Sequence, residues 1–209
     1  ADKIEVVYQG CDPSFIHPVA AEKKREIRAK YQLPDHYILN VGSIEERKNA
    51  LSAVQALMML PEQIHLVIVG RHTEYTDKIE RFIKENKLEK RVHIISNVPF
   101  DDLPVFYQLA EIFVYPSRFE GFGIPIIEAL YSGIPVVAAT GSCLEEAGGP
   151  DSIYVHPDDI KGMADAFKQI YSDTERKKEM IEKGQKFAKR FSEEKQAVEI
   201  LNIYKKLMK

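Results

Sequence analysis

The clearest chemical signal in the chain is a pair of glutamates, Glu120 and Glu128, separated by seven residues. Between them lie Gly121 and Gly123, on either side of an aromatic residue, and then Pro125. Glycines let a backbone approach a ligand closely or adopt a positive φ, and proline suits the first turn of a helix. Free amides at a helix N-terminus bind anions, and carboxylates accept hydrogen bonds from hydroxyl groups. The segment therefore predicts one pocket that holds a phosphate on amides and hydroxyl groups on two carboxylates.

Chance is the alternative explanation of this pattern. Glu-Gly pairs are common in turns, and two glutamates at this spacing often arise without a shared site. The full string YPSRFEGFGIPIIEALYSGIPVV, residues 115–137, favours a site because it reads in order as a strand, a loop, a glycine turn and a helix.

A pair of cations, Arg47 and Lys48, follows an apolar segment that ends before Gly42. Arginine offers a planar fork of donors and lysine a compact charge, and both suit a diphosphate. The neighbouring Glu45 and Glu46 support another interpretation, in which both cations are solvated surface residues. The pair by itself leaves the two interpretations open.

Both segments resemble motifs of the retaining GT-B glycosyltransferases, family 4 in particular. Residues 115–137 are similar to the Glu-x7-Glu signature of that family, and VGSIEERKN at 41–49 is similar to its V-G-x-x-x-x-R-K-N loop. The resemblance extends from about residue 3 to residue 208 and implies that the chain is the isolated C-terminal, donor-binding domain of a two-domain enzyme. Weaker matches are IEVVYQGCDPSF at 4–15, LVIVG at 66–70 and SCLEEAGG at 142–149.

The resemblance also implies roles for the residues at these positions. Lys48 and Arg47 would stabilise the leaving diphosphate, and Glu120 would bind hydroxyl groups of the donor sugar, so these three are the predicted catalytic residues. Glu128 would bind the ribose, and the amides of residues 122–124 would meet the phosphates. The predicted donor-binding residues are Gly42, Ser43, Arg71, Asn97, Val98, Gly121, Phe122, Gly123, Ile124 and Glu128.

Two positions depart from the pattern of the family. Ser43 stands where many members have an arginine, so a phosphate contact from this position would need its hydroxyl group or its backbone amide. Glu146 matches a glutamate that is frequent in the family, but Glu145 takes the place of a common proline. We expect both glutamates at the surface.

Continuous apolar runs alternate with segments of helical periodicity along the chain. Runs that are apolar on both faces predict buried strands of a parallel sheet with helices on each side. The predicted fold is α/β: a Rossmann-like, doubly wound parallel sheet of about six strands with a helical C-terminal extension. The resemblance implies that this domain is one half of a GT-B fold. The predicted strands are YILNV at 37–41, HLVIV at 65–69, VHII at 92–95, IFVY at 112–115, PVVAA at 135–139 and IYV at 153–155.

Polar loops follow five of these strands. Ligands of such sheets bind beyond the carboxyl ends of the strands, so the loops are expected to meet at one edge, independently of any family. Asn49 and Asp101 stand before helical segments and are predicted N-caps. The loops are Gly42–Asn49, Gly70–Thr73, Ser96–Phe100, Pro116–Gly123 and Thr140–Glu146.

One domain is expected for a chain of 209 residues. We assign residues 1–191 to the nucleotide-sugar-binding domain and residues 192–209 to a C-terminal helix. By the resemblance, this helix would pack on the missing N-terminal domain. Without that domain we expect partial exposure of its apolar stripe and weak self-association of the fragment. The stripe consists of Ala197, Ile200, Leu201, Tyr204 and Met208.

The composition argues against several other classes. A net charge of −3 and the lack of a long basic run argue against a nucleic-acid partner. The apolar runs are too short to span a bilayer, and the first residues do not resemble a signal peptide. Cys11 and Cys143 are too few for a disulfide scaffold and indicate reduced thiols in a cytoplasmic protein. The six histidines are scattered and Asp-x-Asp is absent, so we expect neither a metal nor a cofactor.

The resemblance implies a nucleotide-sugar-binding domain of a glycosyltransferase that moves a hexosyl unit from a UDP- or GDP-sugar, with retention. A saccharide or lipid-linked acceptor would bind through the missing N-terminal domain, so the fragment alone would be inactive. The alternatives are a non-catalytic nucleotide-sugar-binding module or subunit of a split enzyme, and a sugar-nucleotide epimerase of the same architecture. The resemblance implies that the full-length enzyme works in polysaccharide biosynthesis in the cytoplasm, with peripheral contact to the inner face of the membrane.

Overall fold

A six-stranded, entirely parallel sheet organises the chain, with helices on both faces. The computed structural model describes residues 4–208. The strand order is β3-β2-β1-β4-β5-β6, the order of a doubly wound dinucleotide-binding sheet, and it confirms the predicted fold class. The strands are β1 Tyr37–Val41, β2 His65–Val69, β3 Val92–Ile95, β4 Ile112–Tyr115, β5 Val136–Ala139 and β6 Ile153–Val155.

Nine α-helices lie within residues 4–208, and all but the last, α9, pack around this sheet. Most of them coincide with segments of predicted helical periodicity. Residues 21–31 carried no helix prediction, because Ile27 is the only residue that this highly charged helix buries. The helices are α1 Ala21–Tyr31, α2 Ala50–Leu57, α3 Glu74–Glu85, α4 Leu103–Leu109, α5 Ile124–Tyr131, α6 Leu144–Gly148, α7 Ile160–Ser172, α8 Thr174–Ala188 and α9 Glu193–Leu207.

The core is divided by the sheet into two apolar clusters. In β1 every residue is buried, and successive side chains join opposite clusters: Ile38 contributes to one and Leu39 to the other. A strand with both faces buried favours apolar residues on both of them, which explains the mostly apolar runs in the sequence. The polar exception in β1 is Asn40, whose buried amide donates to the carbonyl oxygen of Val114 at 2.9 Å.

Two predicted helix caps are wrong, because tertiary hydrogen bonds occupy the side chains. Asn49 does precede α2, but at a φ of 56° its amide donates to the carbonyl oxygens of Pro116 at 3.2 Å and Pro157 at 2.9 Å. The residue before α4 is Asp102 rather than Asp101, and Asp102 accepts from Lys30 instead of capping the helix. Asn49 thereby ties the loop after β1 to the loop after β4.

The strand order reverses between β1 and β4, which opens a crevice at their carboxyl ends. The loops of β1 and β2 approach each other closely there, since a Cβ atom on Gly70 would lie 1.9 Å from the carbonyl oxygen of Gly42. A side chain at Gly70 would force these two loops apart. The crevice is where the predicted site residues gather.

Helix α9 buries none of its residues. Its predicted apolar stripe is exposed, with Leu201 at 50% and Tyr204 at 62% of their full accessible areas. The start of the helix contacts an N-terminal segment, where the Gly10 amide donates to Gln196 Oε1 at 2.9 Å. Packing of residues 192–209 on another domain stays a prediction.

Every helix between residues 4 and 208 is too short or too polar to cross a bilayer.

Candidate functional site

Glu120 lies at the centre of a charged cluster in the crevice. Its Oε1 is 3.2 Å from Lys48 Nζ, and its Oε2 is 3.0 Å from an Arg47 guanidinium nitrogen. The hydroxyl groups of Tyr115 and Ser117 donate to Oε1 at 3.0 and 2.8 Å. The structure therefore unites the three predicted catalytic residues in one network.

Local backbone structure holds the two cations in place. A short 3-10 helix over Glu46–Lys48 turns both side chains towards the loop after β4, where the Arg118 amide donates to the carbonyl oxygen of Arg47 at 2.9 Å. Arg47 also donates to the carbonyl oxygen of Phe119. A Cβ atom on Gly42 would lie 3.1 Å from Lys48 Nζ, so the lysine lies directly over the end of β1.

The surroundings of Glu120 favour its ionised form. Burial by itself raises the pKa of this carboxyl group, but the hydrogen bonds from Ser117 and Arg47 and the charge of Lys48 outweigh burial, and the net pKa is lowered. Burial and the adjacent Glu120 raise the pKa of Tyr115 well above its ordinary value. The tyrosine therefore remains a hydrogen-bond donor to a carboxylate over the physiological pH range.

Helix α5 presents its N-terminus beside this network. Gly123 precedes the helix at a φ of 119°, a conformation that favours glycine, and Pro125 lies in its first turn. Within residues 4–208, the amides of Gly121, Phe122, Gly123 and Ile124 have no hydrogen-bond acceptor. A helix N-terminus with free amides provides donors for an anion, and the cations of Arg47 and Lys48 lie on the neighbouring loop.

Glu128 lies on α5 and is held by a buried tyrosine of α4. The Tyr107 hydroxyl group donates to Glu128 Oε2 at 2.6 Å. Burial raises the pKa of Glu128, and the charge of Asp12 acts in the same direction, while the Tyr107 hydrogen bond opposes both. Glu128 Oε1 accepts no hydrogen bond from the part of the chain that the structure describes, so it is available to a ligand hydroxyl group.

The other predicted donor-binding residues line the same edge of the sheet, in different ways. The Ser43 hydroxyl group donates to Glu45 at 2.6 Å and thus stabilises its own loop. Arg71 is exposed and contacts that loop through its carbonyl oxygen, which accepts from the Ile44 amide at 3.0 Å. Asn97 is exposed at a φ of 58°, and Val98 packs against the core. Neither side chain contacts the charged network.

The structure adds three residues that sequence reasoning missed: Tyr107, Tyr115 and Ser117. The sequence pattern predicts Tyr115 only as the last residue of a strand and Ser117 only as part of a loop. A polar group at the carboxyl end of a central strand is the signal that could have identified Tyr115. Tyr107 has no such signal, since it lies in an apolar helical segment.

Histidine and acidic side chains do not assemble a metal site within residues 4–208: no group of three or more potential ligands is close enough. His65 and His93 come together on β2 and β3 with ring nitrogens 3.0 Å apart. They precede the carboxyl ends of their strands, and burial lowers the pKa of both. Glu145 and Glu146 are exposed, as predicted.

The family model for glycosyl transferases group 1 matches residues 23–187. Among characterised proteins, the O-antigen chain mannosyltransferase B of Escherichia coli is 31% identical over 99% of this chain and 55% of its own length. The chain thus spans about half the length of this relative.

Solved structures match nearly the whole chain. A glycosyltransferase from Rickettsia africae superimposes with a TM-score of 0.92 at 25% identity, over 100% of this chain and 58% of its own. Anabaena HepE in complex with UDP-glucose does so with a TM-score of 0.88 at 20% identity, over 97% and 57% of the respective chains. At this low sequence identity, the similarity to HepE is evidence for the fold alone. With the family model covering most of the chain and the mannosyltransferase matching nearly all of it, this chain belongs to the group 1 glycosyltransferases, as one half of the GT-B fold.

Proposed function

We propose that this chain is the donor-binding half of a retaining glycosyltransferase that moves a hexosyl unit from a UDP- or GDP-sugar to a saccharide or lipid-linked acceptor. The observation that carries the proposal is the network of Arg47, Lys48 and Glu120 beside the free amides of residues 121–124. Cations and amides suit a diphosphate, and the carboxylate suits sugar hydroxyl groups. The UDP-glucose bound to HepE, a protein of the same fold, supports a nucleotide-sugar ligand.

The diphosphate would bind between the two loops. Its negative charge would draw Lys48 and Arg47 partly away from Glu120. Its phosphate oxygens would accept hydrogen bonds from the amides at the start of α5. These groups would stabilise the charge that develops on the leaving diphosphate as the glycosidic bond breaks. This arrangement supplies the charge stabilisation from the residues of the chain itself, and we propose a reaction that needs neither metal nor cofactor.

The two acids would bind different parts of the donor. Glu120, ionised and surrounded by donors, would bind hydroxyl groups of the sugar next to the phosphates. Glu128, held by Tyr107 with one oxygen free, would bind the ribose hydroxyl groups. In this assignment the donor lies along the N-terminal part of α5, with the nucleobase near the backbone of Asn97 and Val98.

The acceptor would bind mainly to a second domain, outside these 209 residues. The O-antigen chain mannosyltransferase described above is about twice as long as this chain, which covers 55% of its length. We propose a role of the full-length protein in polysaccharide synthesis in the cytoplasm, with peripheral contact to the inner face of the membrane. These 209 residues alone would bind the donor without transferring its sugar.

Calorimetric titration of the chain with UDP, GDP and their hexose conjugates tests the proposal. One nucleotide should bind in the absence of divalent ions, with EDTA present, and should raise the melting temperature, because a ligand that binds only the folded state stabilises it. Failure of every UDP and GDP compound to bind the folded chain would contradict the proposal. Binding of the donor together with inactivity after reconstitution with an N-terminal half would instead favour a non-catalytic module.

A further inference from the structure

Phe122 is the only side chain in the turn Gly121–Gly123, because both of its neighbours are glycines. Its ring stacks on Tyr8, with centroids 5.4 Å apart and planes inclined by 18°. The rings of Phe191 and Phe122 pack edge to face, with centroids 5.5 Å apart. The Phe122 ring thus links the turn and its free amides to Tyr8 and Phe191. The Cys143 thiol also contacts this segment, since it lies 3.1 and 3.2 Å from the carbonyl oxygens of Glu120 and Phe122.

Tyr8 connects this turn with helix α6, which follows the loop after β5. Besides stacking on Phe122, its ring meets Phe191 edge to face at 5.4 Å. Its hydroxyl group donates to Glu146 in this short helix. One side chain thus contacts both the turn Gly121–Gly123 and helix α6 beside it.

The backbone around Tyr8 is itself held in place. The Cys11 amide donates to the carbonyl oxygen of Phe191 at 2.9 Å. A Cβ atom on Gly10 would lie 2.6 Å from Glu193 Cα, so the segment lies directly against the start of α9. The guanidinium carbon of Arg190 is 5.3 Å from the Tyr8 ring centroid, a distance at which a cation and an aromatic face attract each other. Tyr8 can therefore act as a support for Phe122.

We propose that Tyr8 is a positioning residue for the donor diphosphate. By fixing the Phe122 ring, it holds the amides of residues 121–124 in the orientation in which they meet the phosphates. The inference rests on the proposed function, since it assumes that these amides bind a diphosphate. Tyr8 itself touches neither the sugar nor the phosphates in this assignment.

Three variants test this role. Tyr8→Leu removes the stacking, and Tyr8→Phe retains the stacking but loses the Glu146 hydrogen bond. Tyr171→Leu is the matched control, because Tyr171 is another half-buried tyrosine but lies at the opposite edge of the sheet, beside His36 and Glu111. Each variant is titrated with UDP or GDP, whichever wild type binds, and with the corresponding nucleoside by saturation NMR. Amide hydrogen exchange of residues 121–124 is measured in the free proteins.

Tyr8→Leu should weaken binding of the nucleoside diphosphate about three- to tenfold, the effect of one or two aromatic contacts, and should leave nucleoside binding unchanged. The amides of residues 121–124 should exchange faster in this variant alone. Tyr8→Phe should stay close to wild type in both measurements, because it keeps the stacking on Phe122. This combination separates a positioning role from a general loss of stability.

Two results would overturn the inference while leaving the proposed function intact. One is an unchanged affinity and exchange rate in Tyr8→Leu. The other is an equal loss for nucleoside and nucleoside diphosphate, or a loss shared with Tyr171→Leu, which would show a merely structural role. If wild type bound neither UDP nor GDP, the proposed function would fail and this inference with it, whatever the exchange rates.

Discussion

Lys48 and Glu120 form an ion pair, with Nζ 3.2 Å from Oε1, that joins the loop after β1 to the loop after β4. Tyr115 lies between them: its hydroxyl oxygen is 3.0 Å from Lys48 Nζ, and its proton is donated to Glu120. The cation assigned to the diphosphate is therefore oriented, and partly neutralised, by the acid assigned to the sugar. A donor that engages both groups would exchange this internal pair for two new sets of contacts.

Lys48→Ala should weaken binding of the free nucleoside diphosphate by about 1–3 kcal/mol, the range for a charged hydrogen bond. Calorimetry with UDP or GDP measures the change. Lys161→Ala is the matched control, since this exposed lysine pairs with Asp165 on α7, away from the crevice. Equal affinity of wild type and a folded Lys48→Ala protein would remove Lys48 from the site.

Glu120→Gln should bind the free nucleoside diphosphate as tightly as wild type or more tightly. The reason is that the substitution removes the internal competitor for Lys48 and Arg47. The same variant should bind the sugar-bearing donor about 1–3 kcal/mol more weakly relative to the free diphosphate, because a charged acceptor for sugar hydroxyl groups is lost. Paired titrations with the diphosphate and its hexose conjugate give the comparison. A loss of the same size for both ligands would show that the role of Glu120 is wrongly assigned.

Glu128→Ala should weaken binding of the free nucleotide and of its sugar conjugate alike, by about 1–3 kcal/mol, because the proposed partner of Glu128 is the ribose. A nucleotide that lacks both ribose hydroxyl groups provides the control: wild type and variant should bind it equally. This comparison is a double-mutant cycle between side chain and ligand. A persistent difference with the dideoxy ligand would point to a contact other than the ribose.

Glu128→Gln should stabilise the fold at neutral pH. The folded-state pKa of Glu128 is raised above its value in the unfolded chain, so ionisation of this group opposes folding at a pH above the unfolded-state pKa. The variant lacks this penalty and can still accept from Tyr107. Its advantage in the free energy of unfolding should grow from mildly acidic to neutral pH, as measured by urea denaturation at several pH values. A constant difference across that range would argue against the raised pKa.

Tyr115→Phe should weaken binding of the nucleotide sugar by about 1 kcal/mol, because Glu120 loses one hydrogen-bond donor and Lys48 loses one hydrogen-bond acceptor. Tyr37→Phe is a suitable control: its buried hydroxyl group donates to the carbonyl oxygen of Phe106 at 2.6 Å, and its loss should lower stability without changing affinity. Thermal unfolding and donor titration of both variants separate the two effects. Equal affinities of wild type and Tyr115→Phe would assign Tyr115 to the support of the fold.

Self-association through α9 is a further expectation. Leu201 and Tyr204 are exposed on a helix with no buried residue. Substitution of both by glutamate should abolish any concentration-dependent rise in mass measured by light scattering, whereas Met58→Glu, at an exposed position after α2, should leave it unchanged. A strictly monomeric mass for wild type at all concentrations would exclude this role of the helix.

The amino-acid sequence by itself determined the fold class and the edge at which the site lies. Five of the six predicted strands coincide with the structure, and the remaining one, β5, begins one residue later than predicted, at Val136. The prediction succeeded because burial of both faces of a strand favours a mostly apolar run, which is a local property of the chain. The position of the ligand-binding loops then follows from the strand direction, because a parallel sheet brings the carboxyl ends of all its strands to one edge.

Tertiary structure alone decided which side chains meet. The pairing of Arg47 and Lys48 with Glu120, the contact of Tyr107 with Glu128 and the stacking of Tyr8 on Phe122 each join segments that are distant in the chain. The two wrong caps have the same origin, because Asn49 and Asp102 satisfy distant partners instead of the nearest amides. An apolar pattern records whether a residue is buried, but a hydrogen bond or ring contact depends on ångström-scale placement, which only the packing of the whole domain provides.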